Sequence, residues 1–200
     1  MSIFKSKKKT IPIQEQLNTL LSIGIRPKQD DFLDWVCDEW GKETVESDPY
    51  NLMLFSLGGE RENGDLWERL SDDIYSFDTE SVEDSNIYEV VLERLVTLSK
   101  GSYDISDLHS EVDHDNKKAT VSFAYNDIHY QWSLKYNNDW FDCDNIGKTN
   151  SLLRNNGSSN FFYTSSPDQN LIVVYTSKDA IRKLNLLSTV PFKLNIAKTV

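Results

Sequence analysis

Cysteine is nearly absent: Cys37 and Cys143 are the only two in 200 residues, and no C-x-x-C pattern occurs. That excludes a disulfide framework. A single bridge is left open, and a reduced pair packed as small hydrophobes is the commoner case. Long apolar runs are missing as well, so no stretch approaches a membrane span. Lys5, Lys7, Lys8 and Lys9 are followed by Thr10-Ile-Pro-Ile-Gln-Glu, not by the apolar core of a secretory signal. The expected location is the cytoplasm. There is no G-x-S-x-G, Walker loop or G-x-G-x-x-G, which removes the best-marked hydrolase, nucleotide and dinucleotide sites. Basic residues are few in the middle of the chain, where nucleic-acid binding would need them.

What the chain does hold is acid and aromatic. It has 38% apolar and 12% aromatic residues, a composition that builds a core rather than a disordered chain. The formal charge is −11 and unevenly placed. Residues 1–29 carry six Lys/Arg and one acid, whereas residues 30–89 carry nineteen acids against three basic residues, a balance of −16. Residues 90–200 hold twelve of each. Such a field repels nucleic acid and anionic membrane and attracts cationic partners.

Periodicity divides the chain into a basic tail (1–10), an acidic helix-rich half (11–100) and an α+β half (101–200), with a possible boundary at Lys100-Gly101. The two halves are also compatible with one continuous domain. Gln14–Ile23 and Asp30–Gly41 read as helices closed by glycine. On the second, Phe32, Leu33, Val36, Cys37 and Trp40 share the inner arc, and Trp35 projects from an acidic face. Asn51–Leu57 reads as a buried strand closed by Gly58-Gly59, and after a loop Ile74–Glu80, which alternates in part, reads as a strand. Asn86–Leu98 reads as a helix with only Glu89, Glu93 and Arg94 on its wet side. Ile105–Val112, Lys118–Tyr125 and Ile128–Tyr136 form an antiparallel meander, with Asn126-Asp127 as the second turn. A helix at Asp144–Arg154, strands at Asn160–Thr164 and Asn170–Tyr175, and a helix from Lys178 to Ser188 follow. Thr176 and Asp179 have capping-box spacing for the last helix. The expected fold class is α+β: N-terminal helices with a strand-helix unit, then a βββαββα half built on the meander.

Each chemical candidate competes with a plainer reading. His109, Glu111 and Asp113 alternate on one face of a strand, as metal ligands can, but also as the wet face of a strand does. Asp115-Asn116-Lys117 has nuclease-like acid-x-Lys spacing, yet it lies in a turn. Carboxylate pairs abound, and thirty-two acids generate them by chance. Cys37 and Cys143 sit among apolar or acidic neighbours, which disfavours a thiolate. No catalytic, metal or cofactor set is therefore assigned. The remaining pattern is acid interspersed with aromatics: Asp34, Trp35, Asp38, Asp72, Asp73, Tyr75, Asp78, Glu80, Glu83 and Asp84. Interfaces use aromatic anchors and charged rims in this way.

Two stretches carry a resemblance. The acidic run "LWERLSDDIYSFDTESVED" is one. The second is a layout with Trp132 on a strand, an Asp139-Trp140-Phe141-Asp142 turn, Asp168-Gln169 in a hairpin and a closing helix from Thr176 to Leu184. Together they resemble immunity-type proteins encoded beside secreted polymorphic toxins of bacteria. The resemblance implies a toxin-neutralising binder in the producing cell's cytoplasm, and it carries over no contact residue. The expected function is thus occlusion of a basic partner, plausibly a nuclease toxin, without catalysis. The alternatives are a metal-dependent hydrolase using His109, Glu111 and His129, and a self-associating structural or regulatory domain.

Overall fold

Pro12 and Gly24 bracket the first helix, α1 (Ile13–Ser22), and Gly24 takes φ +91°, a value that ends helices at small cost only for glycine. The computed structural model describes residues 10–82 and 86–197. The lysines of the expected basic tail lie outside those residues. After α1 come α2 (Phe32–Trp40), α3 (Lys42–Ser47) and α4 (Asn51–Gly58). A hairpin, β1 (Glu60–Asn63) and β2 (Leu66–Arg69), leads to β3 (Ile74–Asp78) and helix α5 (Ile87–Ser99). The second half runs β4 (Ser106–Asp113), β5 (Lys118–Tyr125), β6 (Ile128–Leu134), α6 (Asp144–Asn155), β7 (Asn160–Ser165), β8 (Asn170–Ser177) and α7 (Lys178–Asn185), and closes with the short β9 (Lys193–Leu194). The class is α+β with the expected βββαββα order.

Three sheets form: β1-β2, the meander β4-β5-β6, and a four-stranded sheet in the order β3-β8-β7-β9. The last takes β3 from the first half of the chain and the rest from the second. Its strands alternate between two cores. Tyr75, Phe162, Leu171 and Val173 point into one with α5, α6 and the meander, while Ile74, Tyr163, Ile172 and Val174 point into another with α1, α2, α4 and α7. Burial of both faces explains why β8 reads as an unbroken apolar run, Leu-Ile-Val-Val.

The meander follows its sequence pattern. Val121, Phe123 and Tyr125 are buried, opposite Trp132, Tyr130 and Ile128. Asn126 and Asp127 both take positive φ, 51° and 62°, as a type I′ turn requires.

Three expectations are corrected. Asn51–Leu57 is helical, not a strand. Periodicity cannot separate the two for a fully buried run, but Leu and Met favour helix and the segment has no β-branched residue. Residues 60–69 are a hairpin, not loop: Asn63 pairs with Leu66 across Gly64-Asp65, and Gly64 supplies φ +65°. The cap of α7 is Ser177, whose hydroxyl accepts from Ala180 N at 3.3 Å. Strand β8 runs on through Ser177, so the helix starts one residue later than the Thr176 spacing implies.

Candidate functional site

The β1-β2 hairpin is built almost wholly of polar residues, so its two apolar side chains have no core to enter. Leu66 is 71% and Trp67 66% exposed. The hairpin is held instead by its base and by charge. Leu70 N donates to Gly59 O at 3.1 Å. Arg61 Nη1 donates to Asp31 Oδ2 at 2.9 Å, and its Nε lies 3.5 Å from Glu68 Oε2. Those acids, the Asp31 hydrogen bond first, push the Arg61 guanidinium above its ordinary pKa.

Between this hairpin, α2, α4 and β3 runs a groove of about 570 Å³ whose aromatic walls are Trp35, Trp40, Phe55, Trp67 and Phe77. Glu39, Glu60, Glu62 and Asp78 also line it, and Arg61 is its only cationic lining residue among the described residues. Trp40 meets Phe55 edge-on, with ring centroids 6.2 Å apart, and its Nε1 donates to Ser56 Oγ at 3.0 Å. Asp78 is fixed in place, accepting from Gln169 Nε2 at 2.7 Å and from Glu80 N at 2.8 Å.

The ten residues singled out by sequence do not converge on one site. Trp35 and Asp78 meet at the groove. Asp34 and Asp38 are exposed on the outer side of α2. Asp72 pairs with Lys28 at 2.9 Å, and Asp73 is held by Arg26 and Lys100 at the start of β3. Glu80 is exposed and bridges to Trp140. Glu83 and Asp84 lie outside the described residues.

Tyr75 is buried rather than presented as an anchor. It stacks on Phe77 with centroids 5.0 Å apart, and burial pushes its hydroxyl up to about 12. The inner and outer tryptophans of α2 are exchanged as well. Phe32, Trp35 and Val36, at i, i+3 and i+4, form the face toward the core, and Trp40 is 37% exposed. The sequence reading missed Glu39, Trp40, Phe55, Glu60 and Glu62 as neighbours. The signal that would have found Glu60 and Glu62 is Gly64-Asp65 between two short polar strands, a two-residue hairpin turn.

The other candidates are resolved by their surroundings. His109 Nδ1 stands 3.4 Å from Glu89 Oε1, and the Asp113 carboxylate accepts from Asn116 Nδ2 at 2.7 Å and Asn116 N at 2.9 Å. The register sets His129 opposite Ala124, on the strand beyond β5. Among the described residues no group of three His, Cys, Asp or Glu stands close enough to hold a metal. Both thiols are unpaired and pushed up, chiefly by burial; Asp142 and Asp144 add to the shift at Cys143.

The residues behind the resemblance act in the architecture. Val82 N donates to Asp139 O and Phe141 N to Thr79 O, locking the segment after β3 to the Asp139–Asp142 turn. Trp132 and Phe141 are buried. Gln169 O accepts from Thr79 N at 3.0 Å. No family model matches the chain, and comparison with curated proteins and with solved structures gives no match either.

Proposed function

We propose that the chain is a non-catalytic binding protein of the immunity type, which neutralises a basic toxin domain in the cytoplasm by seating it on the acid-rimmed aromatic groove. The observation that carries this reading is the pairing of Trp67, two-thirds exposed on a hairpin with no core of its own, with four carboxylates along the same groove. Exposed aromatic area beside a carboxylate rim suits arginine and lysine side chains. Their cations stack on indole faces, and their charge is steered in by the acids. The net −16 of residues 30–89 supports a cationic partner over nucleic acid or an anionic lipid surface. No helix among the described residues is long and apolar enough to cross a membrane.

The reading is tested by parallel affinity capture from the native cell with the wild-type chain and a Trp67→Ala/Glu60→Gln/Glu62→Gln variant. The expected result is a basic protein that the wild type retains, that elutes as salt rises, and that the variant loses by tenfold or more. Equal retention on the variant would remove the groove from the interface. A captured second copy of this chain would instead favour self-association through Leu66 and Trp67.

A further inference from the structure

On the other side of the hairpin lies a smaller cavity, about 320 Å³, between β2, β3 and α5, with Trp67, Arg69, Tyr75, Val90, Glu93 and Arg94 in its wall. Arg94 is the surprise of α5. Helical spacing puts it on the wet side with Glu89 and Glu93, yet it is 2% exposed, the bulkiest fully enclosed side chain in the protein's described residues.

Its guanidinium carbon sits 4.9 Å from the centre of the Tyr75 ring, and Nη2 reaches Ser71 O at only 3.5 Å. Nε and Nη1 have no partner among the described residues. No carboxylate there forms an ion pair with it. The two acids whose charge acts on it are already engaged, Glu60 with Arg69 at 3.7 Å and Asp72 with Lys28 at 2.9 Å. Arg69 adds positive charge of its own, and burial lowers the Arg94 pKa. Guanidinium nevertheless stays protonated in proteins, so the fold holds a desolvated cation with two of three nitrogens unsatisfied. A buried polar group of this kind calls for a partner.

We propose that this cavity is a binding site for a small monocarboxylate, with Arg94 as the charge that receives it and Trp67, Tyr75 and Val90 as the walls for its apolar part. The two unsatisfied guanidinium nitrogens, Nε and Nη1, match the two oxygens of a single carboxylate. Glu60 and Glu93 on the same wall disfavour a dianion such as a phosphate monoester. The guanidinium fork suits a carboxylate's paired oxygens. The site opens on the other side of the hairpin from the groove, with which it shares Gly59, Glu60, Trp67 and Ser76.

Trp67 supplies the reporter. The full-length chain is titrated with 3-phenylpropionate at constant ionic strength, following tryptophan fluorescence and melting temperature, with 3-phenylpropionamide and chloride as controls. The expected result is a saturable fluorescence change and a rise in melting temperature with the acid alone, both weakened at least tenfold by Arg94→Met. The acid acting no differently from the amide on wild type would overturn the proposal, and that comparison needs no variant to fold. An Arg94→Met protein that is folded by circular dichroism and binds as wild type would overturn it equally.

Discussion

Among the described residues two hairpins of adjacent strands have two-residue turns, and they behave in opposite ways. In the meander, β5 and β6 turn through Asn126-Asp127 and send Val121, Phe123, Trp132 and Leu134 into a core shared with α5 and α6. In the β1-β2 hairpin the turn is Gly64-Asp65, and the apolar residues Leu66 and Trp67 face solvent. The first hairpin exists because one face is buried. The second is held by its base, by Arg61 and by its turn, so its large apolar residues are available to something outside the chain.

The sharpest break of this comparison exchanges the two tryptophans' fates. Trp132 is 4% exposed and packs edge-on against Phe123 with centroids 4.8 Å apart. Trp132→Ala should destabilise the fold by about 3–5 kcal/mol, the usual range for emptying a core aromatic site. Trp67→Ala should stay within about 0.5 kcal/mol of wild type. Urea unfolding of both variants checks the pair. A loss at position 67 rivalling that at 132 would mean the hairpin is packed as core, and the groove reading would go with it.

The same contrast explains what could be read from the sequence. Strict alternation around Asn126-Asp127 placed the meander strands and their buried residues, because burying one face of a sheet imposes period two. Where a segment is buried on all sides or on none, that signal vanishes. Asn51–Gly58 is enclosed and reads as strand or helix alike, while Glu60–Arg69 buries little and reads as loop. Arg94 shows a third limit. Its spacing on α5 is that of a wet residue, and it is enclosed by tertiary contacts with Ser71 and Tyr75 that the helical pattern does not encode. The acidic character of residues 30–89 was legible as charge, but the pairing of Asp72 and Asp73 with Arg26, Lys28 and Lys100 depends on tertiary contacts that composition does not encode.

Two glycines sharpen the comparison at intermediate size. Gly58 ends α4 where it meets β3, and a Cβ there would stand 2.5 Å from Ser76 N, a backbone atom that cannot swing away. Gly58→Ala should therefore cost about 1–3 kcal/mol through overpacking. At Gly64 nothing lies within 4 Å, but φ is +65°. Gly64→Ala should cost about 1 kcal/mol, for conformation alone. Chemical denaturation ranks them, and a larger loss at 64 than at 58 would show that the turn, not the α4–β3 contact, holds the hairpin in place.

The smallest expected effect lies in the meander's other turn, which uses a carboxylate where β1-β2 uses glycine. Asp113 accepts from Asn116, side chain first and then backbone, and these bonds hold its pKa below the ordinary aspartate value. A depressed folded-state pKa means that the unfolded chain takes up its proton first as pH falls. The stabilisation is thus complete above the unfolded value, near pH 4, and is lost as pH drops through the folded one. Asp113→Asn removes the titrating group, so the difference in urea midpoint between wild type and variant should be constant near neutrality and shrink below about pH 4. The carboxylate is at the surface, where solvent screening keeps the effect small. A midpoint difference unchanged down to pH values well below that of free aspartate would show that the Asp113 carboxylate does not hold the turn.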